Sequence, residues 1–217
     1  MTGSAGRVFS VVKDNTPVPG CTISELVSRE NGYYVFHFSM AEHTSISGEI
    51  YHYPKLFLVL WGEMAAVVGD VWTFLKDGDF YAAPTGIPVG TETETGCIYT
   101  EINLKKESVM NEAVKAGTVF ALKDLLPVQE GKIVNMDIVK EEKLKFVVMS
   151  FAAGTALPEH AAPGDALIFA LEGEGIIGYE GKEHPIKAGE NFRFARGGAH
   201  YVKAEQPFKM ALFLTLA

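Results

Sequence analysis

Several features common in other protein classes are scarce in this chain of 217 residues. It has only two cysteines, Cys21 and Cys97, which is too few for a secreted scaffold built on disulfides. No apolar run approaches the ~18 residues that a membrane-spanning helix needs. Residues 1–7 also lack the apolar stretch of a signal peptide. We therefore expect a cytoplasmic protein with no membrane partner.

Positive charge and helical periodicity are scarce as well. The formal net charge of −8 at pH 7 disfavours nucleic acid and anionic membranes as partners. No long segment repeats its apolar residues every 3.6 positions, as an amphipathic helix does. No basic helical region is available to bind DNA, so a transcription regulator is disfavoured.

The sequence does contain many short runs of β-branched and aromatic residues, separated by glycine-containing turns. This pattern predicts an all-β protein, either a sandwich or a barrel. The clearest predicted strands are residues 34–38, 56–60, 146–151 and 167–171. Two short helices are also predicted, at residues 108–115 and 121–126.

The chain repeats itself at an offset of 111 residues. At this offset Leu-Trp-Gly-Glu at 60–63 aligns with Leu-Glu-Gly-Glu at 171–174, and matches continue without a gap from Gly6 to Gly86. A single register held over that length indicates an internal duplication. The predicted organisation is a first domain at 1–107, a linker at 108–116 and a second domain at 117–217.

Two segments of the second half, 154–175 and 189–200, resemble the signature segments of the cupin family. In the first segment, His160 follows the opening glycine after five residues. The second segment ends at His200, with Ala195 where the family usually has proline. The spacing of both segments is similar to that of the family.

The resemblance implies a small jelly-roll barrel, also called a double-stranded β-helix. The internal repeat extends this expectation to the first half of the chain. The sequence therefore resembles a bicupin: an all-β protein with two tandem cupin-type jelly-roll barrels related by internal duplication. Because this barrel supports many chemistries, the fold alone leaves the function open.

In the cupin family, three histidines and a glutamate bind one divalent metal inside the barrel. Here His160 and His200 occupy the first and last ligand positions, whereas Ala162 replaces a histidine and Ala166 replaces the glutamate. Two imidazoles are fewer ligands than most protein metal sites have. A transition metal in the second barrel (Fe, Mn, Ni, Zn or Cu) would need Asp165, another nearby side chain or a bound small molecule to complete its shell.

The orientation of Asp165 stays open in the sequence. Strict alternation of side chains along a strand would point its carboxylate out of the barrel. Pro163 and Gly164, which come just before it, could break the alternation and turn it inward.

Without a metal, the second barrel has two other interpretations. The small side chains of Ala162 and Ala166 free volume, which favours a ligand pocket lined by these residues, Phe194, His160 and His200. The histidines would then bind a hydroxylated or anionic molecule, or act as general acid and base. In the second interpretation they are only polar residues in the barrel mouth, bonded to backbone or water.

The first half lacks the metal ligands. At the 111-residue offset, Glu49, Tyr51, Lys55 and Val89 stand at the four ligand positions. We therefore expect no metal in the first barrel and a structural role for it.

Two functions remain open. One is a bicupin that binds a small molecule of sugar or organic-acid type in the C-terminal barrel. The other is a metal-dependent cupin enzyme, such as an isomerase, lyase, decarboxylase or dioxygenase, that uses His160 and His200. The resemblance also implies pairing through the sheets, because cupins often pair in this way. The pairing could join two chains as a homodimer or the two halves of one chain.

Overall fold

The computed structural model describes residues 5–216 as strands joined by short turns, which confirms the all-β class. The strands of the N-terminal half are β1 (Val8–Phe9), β2 (Thr22–Glu30), β3 (Tyr33–Met40), β4 (Thr44–Ile50), β5 (Lys55–Val68), β6 (Val71–Lys76), β7 (Asp79–Ala83), β8 (Pro88–Thr93) and β9 (Cys97–Asn103). Those of the C-terminal half are β10 (Val119–Ala121), β11 (Ile133–Lys140), β12 (Leu144–Phe151), β13 (Thr155–Ala161), β14 (Gly164–Tyr179), β15 (Lys182–Lys187), β16 (Asn191–Phe194), β17 (Ala199–Ala204) and β18 (Phe208–Leu216).

All four of the clearest predicted strands lie inside β3, β5, β12 and β14. Helical structure is limited to α1 (Val11–Asp14) and a 3₁₀ turn (Leu122–Asp124) within residues 5–216. The 3₁₀ turn lies in the second predicted helix, at 121–126. The first predicted helix, at 108–115, is wrong, because Asn111 donates a backbone hydrogen bond to Ile138 and the segment is extended there.

The chain divides into two compact units. The first contains Val11–Ser108 and Glu112–Ala121, and the second contains residues 5–10, Val109–Asn111 and residues 122–216. Each unit includes a short strand from the other half of the chain. Strand β1 pairs with β16 in the second unit, and β10 pairs with β7 in the first.

The strands of each unit follow the same order. In the first unit the main path is β10-β7-β5-β9-β3-β2, with β4 paired to β8, and with β8 and β6 paired to β5. In the second unit the path is β1-β16-β14-β18-β12-β11, with β13 paired to β17, and with β17 and β15 paired to β14. Every pairing in one unit therefore has its counterpart in the other.

The strand positions keep the offset found in the sequence. Strands β3 and β12 begin at Tyr33 and Leu144, which are 111 residues apart. Thr22 on β2 stands opposite Met40 on β3, and Ile133 on β11 stands opposite Phe151 on β12, which is the same pair 111 residues later. The sequence repeat is thus a repeat of strand register.

A glycine at a β-bulge explains the strongest part of that repeat. Gly62 and Gly173 both have positive φ, of 80° and 74°, beside a register shift in β5 and β14. A β-carbon at Gly173 would collide with the carbonyl oxygen of Pro207, and one at Gly62 with that of Gly96. Only glycine fits both the conformation and the close approach.

Each unit has its own apolar core, formed by alternate residues of its strands. The core of the first unit contains Met40, Tyr51, Phe57, Val59, Met64, Ala66, Leu75, Tyr81, Ala83, Val89, Cys97 and Tyr99. That of the second includes Val147, Met149, Phe151, Ala162, Ala166, Ile168, Phe192, Phe194, Val202, Ala204, Phe208, Met210 and Leu214. Within residues 5–216, no helix has the length and apolarity to cross a membrane.

Candidate functional site

The two histidines singled out in the sequence are neighbours in the second unit. His160 on β13 and His200 on β17 stand directly opposite each other in the antiparallel pair. Their ring centroids are 4.2 Å apart, and the ring planes meet at 52°. Because residues opposite each other on paired strands point to the same face, both imidazoles share one site.

The histidine pair lies at the edge of the second core. His200 alternates with Val202 and Ala204, two core residues of β17, so its ring faces the interior. His200 is only 7% exposed, whereas His160 is exposed to solvent. One imidazole is therefore covered and the other is open to a molecule that approaches from solution.

Backbone carbonyls select the same neutral tautomer for both rings. Nδ1 of His160 lies 2.9 Å from the carbonyl oxygen of Pro158, and Nδ1 of His200 lies 3.2 Å from that of Gly198. A carbonyl only accepts, so each Nδ1 carries the hydrogen and donates it. Each neutral ring then has a lone pair on Nε2, which can accept a hydrogen bond or bind a cation.

Burial keeps His200 in its neutral form. The pKa of His200 is lowered, chiefly because burial penalises the charged imidazolium. The hydrogen bond to Gly198 opposes this effect, and the neighbouring His160 adds to it. At neutral pH the covered imidazole is therefore an uncharged acceptor.

The other predicted pocket residues are part of the core. Ala162, Ala166 and Phe194 are all buried in the core of the second unit. The Phe194 ring lies 4.0 Å from that of His200, and its Cα is opposite that of Ala166. Packed apolar side chains thus lie beneath the histidine pair.

Asp165 does not join the two histidines. It alternates with Ala166 and Ile168, two core residues of β14, so it points away from the interior. Its carboxylate accepts a hydrogen bond from the backbone of Arg196 at 3.0 Å and lies 3.6 Å from the guanidinium of Arg193. The alternation of the strand therefore continues through Pro163-Gly164.

The residues at this site do not make a complete metal shell. Within residues 5–216, no three side chains of His, Cys, Asp or Glu group together as metal ligands. Two imidazoles fall short of the three or four protein ligands of a typical transition-metal site. We therefore derive no chemical step through a metal.

The interior of the first unit holds an ion pair that the sequence reasoning missed. Lys55 Nζ lies 2.9 Å from Glu101 Oε1, with both side chains less than a tenth exposed. The ammonium also sits over the ring of Tyr51, 4.0 Å from its centroid. Burial, followed by the charge of Glu101, raises the pKa of Tyr51 and keeps it neutral.

Alternation could have placed each of the two side chains on the interior face, although not paired them. Lys55 has the same parity as Phe57 and Val59 on β5, and Glu101 has the parity of Tyr99 on β9. The 111-residue offset marked Lys55 as standing at the family's glutamate position. It did not mark Glu101, because β9 carries no ligand in the family pattern.

Removing one member of this ion pair is expected to destabilise the first unit strongly. Lys55→Met leaves the Glu101 carboxylate buried without a partner, which costs about 3 kcal/mol or more. The double variant, Lys55→Met with Glu101→Leu, is expected to return to within about 1 kcal/mol of the wild type, because no charge is left buried. Hydrogen exchange of amides in β5 and β9 measures the stability of this unit.

Lys76→Met is the matched control, because Lys76 lies in the same unit with its side chain exposed. It should change stability by no more than about 0.5 kcal/mol. A double variant as unstable as Lys55→Met would contradict this account of the ion pair.

Comparison with protein families identifies a known domain within the second half of the chain. The family model described as "Cupin domain" matches residues 147–215. No curated protein matches the sequence. The matched segment covers most of the second unit, including His160 and His200.

Solved structures extend the similarity to the whole chain. A cupin 2 conserved barrel domain protein from Leptotrichia buccalis is 26% identical, with a TM-score of 0.87, over 98% of this chain and 97% of that one. A salicylate 1,2-dioxygenase from Pseudoaminobacter salicylatoxidans is 12% identical, with a TM-score of 0.63, over 96% and 80%.

A third structure, reported in a study of the Mn(II) centres of Bacillus subtilis oxalate decarboxylase, is 11% identical, with a TM-score of 0.56, over 100% of this chain and 78% of that one. At these low identities the two enzymes share only the fold with this chain. The family match identifies residues 147–215 as a cupin domain, and the similarity of fold to a cupin 2 conserved barrel domain protein extends over the whole chain.

Proposed function

We propose that this chain is a bicupin that binds a small hydroxylated molecule at the mouth of its second barrel. The two-barrel organisation is supported by the identical strand order of the two units and by the 111-residue offset between their strands. In this proposal the two barrels arose by duplication, and their interior side chains then diverged.

One observation carries the binding site: two imidazoles side by side, each with its Nδ1 bonded to a backbone carbonyl. Both Nε2 atoms are acceptors, so the pair suits a ligand with two neighbouring hydroxyl donors. A sugar fits this requirement better than an organic acid, because neutral imidazoles offer no positive charge to a carboxylate.

The same tautomers favour binding over catalysis. A dyad that transfers protons needs one protonated group facing the substrate and one unprotonated group. Here both rings direct Nδ1 at a backbone carbonyl, and within residues 5–216 no carboxylate is hydrogen-bonded to either ring. His160 and His200 thus lack the acid partner that would complete a dyad.

A direct test compares glucose with glucuronate by calorimetry. At pH 7.5 we expect glucose to bind at least as tightly as glucuronate. His160→Ala or His200→Ala should each weaken glucose binding about three- to tenfold, the effect of one lost hydrogen bond. As the pH falls through the lowered pKa of His200, the ring loses its acceptor and gains charge, so glucose should bind more weakly and glucuronate more tightly.

His52→Ala is the control, because His52 is an exposed histidine of the first unit. It should bind glucose as the wild type does. If neither sugar binds, or if the two histidine variants bind like His52→Ala, the assigned site is wrong.

The second candidate is a metal-dependent cupin enzyme, such as an isomerase, lyase, decarboxylase or dioxygenase. Histidines that bind metals commonly donate their other ring nitrogen to a backbone carbonyl, as His160 and His200 do. A bound small molecule would have to supply the remaining ligands, since Asp165 is held by Arg193 and Arg196.

Metal content separates the two candidates. We expect protein purified after growth with Fe, Mn, Ni and Zn to carry well under one divalent ion per chain, because two imidazoles bind such ions weakly. Mass spectrometry of the wild type, His160→Ala and His200→Ala measures this directly. One ion per chain in the wild type, lost in both variants, would establish the metal-dependent reading instead.

A further inference from the structure

A row of aromatic side chains opens from the interior of the first unit towards solvent. Tyr34, Phe36 and Phe38 alternate along β3 on the same face as the core residue Met40, and all three are half-buried. The rings of Tyr34 and Phe36 are nearly parallel, at 6° and 6.4 Å. Phe38 stacks deeper, on Tyr99, at 3° and 4.9 Å. The core thus continues outward as a set of flat, accessible ring faces.

The rings of Tyr34 and Phe36 form one wall of a groove of about 530 Å³. Tyr34 and Phe36 line it together with Tyr53, Gly32 and residues 103–107. This volume is within the range of pockets that hold small organic molecules. Two of the lining aromatics are half-buried and Tyr53 is 38% exposed, so the groove is open to solvent.

One polar atom in the groove lacks a partner. Asn103 is only 7% exposed, and its Oδ1 is buried without a hydrogen bond. A buried acceptor left unpaired costs about 1–3 kcal/mol. Such an atom beside an open groove indicates a place for a ligand that brings a hydrogen-bond donor.

The buried ion pair lies beside two of the residues that line this groove. Asn103 stands directly opposite Lys55 on β5 and opposite Tyr34 on β3, and Glu101 stands opposite Phe36. An ammonium has three N–H donors, and the bond to Glu101 uses one of them. A ligand hydroxyl placed at Asn103 could therefore donate to Oδ1 of Asn103 and accept from the ammonium of Lys55 on the adjacent strand.

We propose that this groove binds a planar phenol. Its ring stacks on Tyr34 and Phe36, and its hydroxyl donates to Oδ1 of Asn103. A ring face on an aromatic wall and a single orphaned acceptor together specify a flat ligand with one donor. This site is separate from the one proposed in the second barrel, because the two sites share no residue.

The groove is particular to the first unit. At the 111-residue offset, Tyr34, Phe36 and Asn103 correspond to Lys145, Val147 and Leu214. Neither the ring wall nor the amide acceptor is therefore present at these positions of the second unit. The duplication kept the strands and changed these side chains.

Three small probes of similar shape test the proposal: 4-methylphenol, 4-methylanisole and 4-methylcyclohexanol. The second lacks the hydroxyl donor and the third lacks the aromatic ring. Backbone amide shifts of the full chain, followed by NMR during titration, give both the location and the affinity. We expect 4-methylphenol to shift amides of β3 and β9 with saturation, and each of the other two to bind about three- to tenfold more weakly.

Two variants separate the ring contribution from the hydrogen bond. Phe36→Ala should weaken 4-methylphenol binding about three- to tenfold, whereas Phe74→Ala, at an aromatic on β6 that is 75% exposed and outside the groove, should not. Asn103→Leu should remove the preference for 4-methylphenol over 4-methylanisole.

Three results would each overturn the proposal. These are no saturable binding up to the solubility of 4-methylphenol, equal affinity for all three probes, or amide shifts that lie away from the residues lining the groove. If Phe36→Ala does not fold, Asn103→Leu alone decides, because equal discrimination in this variant and the wild type would also refute the site.

Discussion

Alternation of side chains along the central strands is the constraint on which the two candidate sites depend. On β14, Ala166 and Ile168 enter the core, so Asp165, the residue before Ala166, must face outward. On β5 the same parity directs Lys55 inward with Phe57. The positive-φ glycines at the bulges hold this register in both strands. A shift by one residue would exchange every interior side chain for an exterior one.

Under this common constraint, the two units enclose different chemistry. The first keeps a charged pair inside, and Lys55 is held there by Glu101 and by the ring of Tyr51. The second has an apolar interior with two neutral imidazoles at its edge, His160 and His200. The first unit therefore has a charged interior and an aromatic groove that is open to solvent. The second unit has hydrogen-bond acceptors at the edge of an apolar interior.

Sequence reasoning located the strands and the repeat because both depend on local patterns. The placement of His160 beside His200 followed from the family spacing, and their rings are indeed neighbours. The helix predicted at residues 108–115 does not form, because Asn111 donates a backbone hydrogen bond to Ile138 instead. A short segment has little helical preference of its own, so a neighbouring strand decides its conformation.

Other features depend on contacts between distant residues. The partner of Lys55 lies on another strand, and no motif links the two positions. The bonds that fix both imidazole tautomers go to the carbonyls of Pro158 and Gly198, and carbonyl directions depend on the folded backbone. The orphaned acceptor of Asn103 becomes visible only when its surroundings are known.

The central claim is that His160 and His200 both carry a hydrogen on Nδ1, and that burial keeps the covered ring of His200 uncharged at neutral pH. Imidazole ¹⁵N chemical shifts, assigned with single-histidine variants, measure tautomer and charge for each ring directly. The account predicts the Nδ1–H tautomer for both rings, and a pKa of His200 below the ordinary value of about 6.5. An Nε2–H tautomer in either ring, or a His200 that is charged at neutral pH, would contradict it.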